Sequence, residues 1–159
     1  MGVDSNLYNL VLVLHILAVI IGFGGTFISG FYGAEASKRP GREGLAVGQT
    51  TMDVTRLAPT MAVYSVPILG ILLVVLSDDT WKFSEAWVSL SFLLYIVLLV
   101  LMVAVQAPNV RKLISARSAA GGDMTAEAQG LARTSAMVGG VINLLWVIVL
   151  FLMVFKPGH

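Results

Sequence analysis

The sequence predicts an all-α integral membrane protein, a four-helix bundle whose helices continue beyond the bilayer. Three observations carry this. Hydrophobic residues make up 57% of the 159 residues and charged residues 12%, with a mean hydropathy of +0.88, more apolar than a soluble domain of this length. Four segments, 7–31, 58–76, 86–107 and 135–155, meet the ~20 mainly apolar residues that the hydrocarbon core asks of a helix. Eight of the ten basic residues fall in two of the connections between them. By the positive-inside rule those connections are cytoplasmic and both termini lie outside. For a bacterial protein this means the inner membrane.

The first span, Leu7 to Phe31, contains no charged residue. No Lys or Arg precedes His15, the apolar run is far longer than a signal-peptide core and no A-x-A site follows, so it is expected to stay uncleaved. The next connection, Glu35 to Leu57, holds Lys38, Arg39, Arg42 and Arg56. Arg39-Pro40-Gly41 reads as a breaker, Leu45 to Leu57 as a helix despite Gly48, and a Glu35–Arg56 ion pair is conceivable. In the second span Pro67 frees a backbone carbonyl and should kink the helix near Val63. Trp81 and Trp87 flank the short connection Ser77 to Glu85, and Tyr8 starts the first span, as an aromatic belt requires. The third span should continue past a bend at Pro108 and stop at Gly121-Gly122, with Asp123 capping the returning helix from about Met124. The result is a cytoplasmic helical hairpin at about 109–133. The chain forms one domain.

The candidate functional residue is His15, a titratable group at membrane depth. On a helix advancing ~100° per residue, it shares its face with Ala18, Gly22, Gly25, Thr26, Ser29 and Gly33. All are small, so this face should turn toward other helices. Span four carries a matching face with Ser135, Gly139, Gly140 and Asn143, expected to pack inward against the first. Helix packing is the plain meaning of both faces; room for a flat cofactor beside His15 is the sharper one.

His15 itself reads as a neutral imidazole hydrogen-bonded to a backbone carbonyl, a hydroxyl or Asn143, or as a haem or metal ligand, or as a proton carrier. The other histidine is His159, at the end of the chain. Met61, Met102, Met137 and Met153 offer thioethers, although methionine at helical spacing is usually core filler. Asn143 near mid-membrane needs a partner, Trp146 reads as packing and Gln106 as an interface residue.

Several classes are disfavoured. No span carries Asp, Glu, Lys or Arg in its central portion, which ranks transport of ions or small molecules lowest. A net charge of +1 gives no nucleic-acid surface, and without cysteine there is no thiolate metal site. No phosphate loop, nucleophile elbow or zinc motif occurs.

Leu14-His15-Ile16-Leu17-Ala18 followed by Gly22-Phe23-Gly24-Gly25, with Ala107-Pro108-Asn109-Val110-Arg111-Lys112-Leu113 later, resembles a bacterial family of predicted four-helix integral membrane proteins of unknown function. That family is similar to the CopD copper-resistance proteins and, more distantly, to HemJ-type protoporphyrinogen oxidases. The resemblance implies a haem held through His15 and, from the copper relatives, copper handling. The oxidases also use a lysine on a later membrane helix, and no span here has one. The sequence therefore predicts a non-catalytic accessory or scaffold component, packing in the lipid bilayer as a homo-oligomer or within a larger membrane complex. The alternative is a haem-b or metal-binding redox protein with His15 as ligand.

Overall fold

In the computed structural model, which describes residues 2–158, six α-helices and one π-helical turn account for nearly all of the chain. Helix α1 (Asn6–Lys38) is followed by α2 (Gly41–Arg56), α3 (Ala58–Leu76), α4 (Ala86–Val100), the π turn (Leu101–Gln106), α5 (Ala107–Ala119) and α6 (Ala126–Phe155). Runs α2–α3 and α4–π–α5 are near-continuous, so four long rods result, each with a window apolar enough to cross a membrane. Only 22% of each such window is buried, so most of the apolar surface, Ile20, Val75, Leu93 and Val147 included, faces outward. That is the surface a bilayer covers, since in water such exposed patches would aggregate.

The ends follow from local chemistry. Ser5 caps α1 by accepting from the Tyr8 N–H at 3.3 Å, and Pro40 ends it because the residue before proline is pushed out of the helical region. Thr125, rather than the expected Asp123, caps α6 by accepting from the Ala128 N–H at 3.2 Å. Between α5 and α6, Gly121 and Gly122 take φ of +68° and +104°, which glycine adopts without penalty. Helix α2 starts at Gly41, directly after Pro40 and earlier than Leu45, and its glycines 44 and 48 face close neighbours. Just ahead of Pro108 the rod winds into a π turn: the Ala107 N–H reaches back to the Met102 carbonyl, a wider turn of the kind found as single-turn insertions in α-helices.

Rod α1 packs along α3 and α2 on one side and against α6 on the other, while α4 and α5 pack on α6. The central core joins Ala18, Val63, Val66, Tyr95, Leu98, Ile142 and Trp146. A smaller cluster, Tyr8, Val11 and Leu73, lies at the end where both termini emerge. There the Trp81 indole donates to the Tyr8 hydroxyl at 3.0 Å, and Lys156 places its ammonium 3.7 Å from the Trp81 ring centroid. The opposite, basic end carries the α1–α2 and α5–α6 connections. At 33 and 30 residues, α1 and α6 are ~50 and ~45 Å long, longer than the ~30 Å core.

Candidate functional site: the polar groups inside the bundle

Three prolines organise the polar interior. Proline has no N–H, so the carbonyl four residues earlier loses its helical partner. Pro59 leaves Thr55, whose carbonyl accepts from the Thr60 hydroxyl at 2.7 Å. Pro67 leaves Val63, and the buried Tyr95 hydroxyl reaches across from α4 to donate to it at 2.8 Å. Pro40 leaves Ala36, whose carbonyl accepts from Arg117 Nη1 at 2.8 Å.

Arg117 is the least expected of these donors. Its sequence neighbourhood reads as an exposed basic loop, yet it is 2% exposed. Its Nε and Nη2 also donate to the Gly122 carbonyl at 3.1 and 3.0 Å, and Nη2 to the Arg39 carbonyl at 3.2 Å. One guanidinium thus ties the end of α1 to the α5–α6 turn. Gly44 makes room for it, since a Cβ there would overlap the Ala36 and Arg39 carbonyls and the guanidinium. Glu35 pairs with Lys38 at 3.8 Å and with Arg39 at 3.2 Å, not with Arg56. Arg39 also pairs with Glu43 at 2.6 Å; the Glu35 hydrogen bond, then the charge of Glu43, raises its pKa above the ordinary arginine value.

His15 sits between α1 and α3, half-buried, with the Val66 backbone beside it. A Cβ on Gly70 would lie 3.5 Å from its Cε1, 4.0 Å from its Nδ1 and 3.7 Å from Phe92 Cζ. Nδ1 is buried without a hydrogen-bond partner. Of its small face, Ala18 and Gly22 are buried and Gly25, Thr26 and Ser29 half-buried, while Gly33 is exposed with nothing within 4 Å of a Cβ. Gly22 meets Val63 and Gly25 meets Pro59, both on α3. The Thr26 and Ser29 hydroxyls donate to carbonyls of their own helix, Phe23 and Thr26. Gly22 and Gly25 thus pack on α3, while α1 meets α6 through Phe23 on Trp146 and Gly30 beside Asn143.

On α6, Gly139 faces the Gln106 amide, Asn143 stands opposite Gly30, and Gly140 is open. Gln106 Oε1, Asn143 Oδ1 and Trp146 Nε1 are buried and unpartnered. Trp146, 2% exposed, is stacked on Phe23 at 5.7 Å and meets the Tyr95 edge at 5.3 Å. Asn109 is better served, donating to the Leu131 carbonyl and the Ser135 hydroxyl, both at 2.8 Å.

The sequence matches a family model, predicted integral membrane protein DUF2269, over residues 9–157. The chain belongs to that family. Neither curated proteins nor solved structures gave a match. Among the described residues no group of three or more His, Cys, Asp or Glu could hold a metal; His159 lies outside them. A haem on His15 would need a flat open face beside the imidazole. Here the α3 backbone at Gly70 lies against the ring, Met61 and Met137 are exposed and Met102 and Met153 pack on the central core, so a haem on the α3 side of His15 does not fit in this arrangement.

Proposed function

We propose that this protein is a non-catalytic component of the bacterial inner membrane, an accessory or scaffold subunit that packs its helices against a second copy or a larger membrane complex. The observation that supports this is a pair of unfilled small faces toward the basic end. Gly30, Gly33 and Ala34 on α1 and Ala136 and Gly140 on α6 are exposed, and Cβ atoms on Gly33 and Gly140 would meet nothing within 4 Å. Small faces are where membrane helices associate, because backbones approach closely there. The eight basic residues of the two long connections favour a cytoplasmic basic end, with both termini outside.

The test uses those open positions. Gly33→Leu and Gly140→Leu leave the chain's own packing untouched, so each variant should keep its helix content. In mild detergent the wild type should run as an oligomer or co-purify with partners, and the variants should run as monomers. A wild type that is monomeric and alone refutes the reading, as does a complex that survives both substitutions.

A second reading rests on the unpartnered His15 Nδ1: a haem b or metal bound there, which requires α3 to move away from the ring at Gly70. Protein from haem-replete cells would then show a Soret band that His15→Ala abolishes. Colourless wild-type protein removes the haem.

A further inference from the structure

Helix α1 is held close to the α2–α3 rod at two points. At the first, Gly25 lies against Pro59 at the start of α3, so close that a Cβ on Gly25 would be 2.5 Å from the proline Cβ. At the second, Gly44 lies against the carbonyls of Ala36 and Arg39 under the Arg117 guanidinium. The two glycine contacts pinch the ends of a groove of about 570 Å³, within the roughly 300–1,000 Å³ usual for small-ligand sites. Along α1 it runs from Gly24 to Tyr32, about 12 Å at helical rise.

The chemistry of the walls selects the occupant. The groove's lining includes Ser29, Thr51 and Thr55, yet each of these hydroxyls donates to a carbonyl of its own helix, Thr26, Val47 and Thr51. A threonine hydroxyl so engaged leaves its methyl to line the space. These three residues therefore offer a ligand little beyond van der Waals contact, and with Ile28, Ala46, Val47, Val54 and Pro59 they make most of the lining apolar in character, Thr50 and Tyr32 adding a hydroxyl each. At the basic end, Glu35, Arg39, Glu43 and Lys38 are already paired with one another, and no charged residue lines the groove itself. The open side is continuous with the outward apolar surface of the spans through Ile28, Tyr32 and Val54, beside Phe31 and Leu57.

We infer that this groove holds one hydrocarbon chain of a bilayer lipid, taken in sideways from the membrane and selected by its chain rather than by its headgroup. The inference needs only the membrane location and stands apart from the scaffold reading.

Native mass spectrometry of the full chain, released from nanodiscs of mixed phosphatidylethanolamine and phosphatidylglycerol, tests it. The wild type should retain one lipid, in the proportion the nanodisc supplies. Gly24→Phe puts a ring into the groove from a position whose Cβ meets nothing within 4 Å, and Thr51→Trp fills it from the other wall. Each variant should lower the lipid-bound fraction at least tenfold, while Val147→Phe on the outer face of α6 leaves it unchanged. Circular dichroism in detergent identifies a variant that has failed to fold, and the other then decides. A wild type without lipid overturns the inference. So does an equal bound fraction in a folded groove variant, strict preference for one headgroup, or a groove filled by a second copy and seen as a dimer without lipid.

Discussion

Replacing Arg117 with methionine keeps the length of the side chain and removes every donor. Four hydrogen bonds to three carbonyls are lost. No other donor is in place for Ala36, because Pro40 has no N–H to return. A hydrogen bond to a charged group is worth ~1.5–3 kcal/mol net and an orphaned buried carbonyl costs ~1–3 kcal/mol. The Ala36 and Arg39 carbonyls also form the negative end of α1, where a cation adds ~0.3–1 kcal/mol. Against this stands the relief of burying one charge fewer. Arg117→Met should therefore destabilise by ~3–5 kcal/mol, on the order of 10 °C in melting temperature for a chain of this size. Lysine has one point-like ammonium in place of a planar fork, so Arg117→Lys should recover less than half. Thermal unfolding in detergent, followed by circular dichroism, measures both, and limited proteolysis near Gly41 and Gly122 should quicken in step. A methionine variant within ~1 kcal/mol of wild type, or a lysine variant as stable as wild type, refutes the clamp.

Tyr95→Phe should cost ~1–2 kcal/mol by leaving the Val63 carbonyl bare; in a Pro67→Ala background, where residue 67 regains its N–H, the same change should cost much less, and a double-mutant cycle showing no coupling would deny that the tyrosine replaces the missing helical bond. Gly25→Ala should destabilise by ~1–3 kcal/mol through overpacking on Pro59, whereas its neighbour Gly24→Ala, with open space at the Cβ, should gain up to ~1 kcal/mol of helix propensity. Equal effects at the two glycines would contradict the close contact between α1 and α3.

The four spans were legible because a run of ~20 apolar residues has few other uses, and composition reports it directly. The interior polar chemistry was half legible. Proline at 40, 59 and 67 announces freed carbonyls at Ala36, Thr55 and Val63, and that part follows from sequence arithmetic alone. Which donor answers does not, except for Thr60, five residues from its acceptor. Tyr95 lies 32 positions from Val63 and Arg117 81 from Ala36, and only tertiary packing brings them together. Arg117 was hidden by its company, because Arg111, Lys112 and Arg133 make any basic residue there read as loop charge. Gln106 was hidden by its place near the inner end of span three, which reads as membrane interface, while the π turn sets it beside Gly139.

Among the described residues, three of the four unpartnered groups, all but the Trp146 indole, share a setting that bears on function. His15, Gln106 and Asn143 each stand beside a glycine, at Gly70, Gly139 and Gly30. A glycine brings backbone close but supplies no side-chain donor or acceptor, and helical backbone groups are already spent on each other. Each orphan costs ~1–3 kcal/mol, a serious fraction of the ~5–15 kcal/mol that a fold nets, so Asn143 separates a self-contained bundle from one built to be joined. Asn143→Leu keeps the volume and removes the orphan. In the isolated chain it should raise stability by ~1–2 kcal/mol. If the small faces of α1 and α6 dock a membrane partner that completes the amide, the same substitution should weaken the complex, so the two measurements move in opposite directions. A loss of stability in the isolated chain would mean that Asn143 already has a partner within it, and the docking argument would lose its polar half.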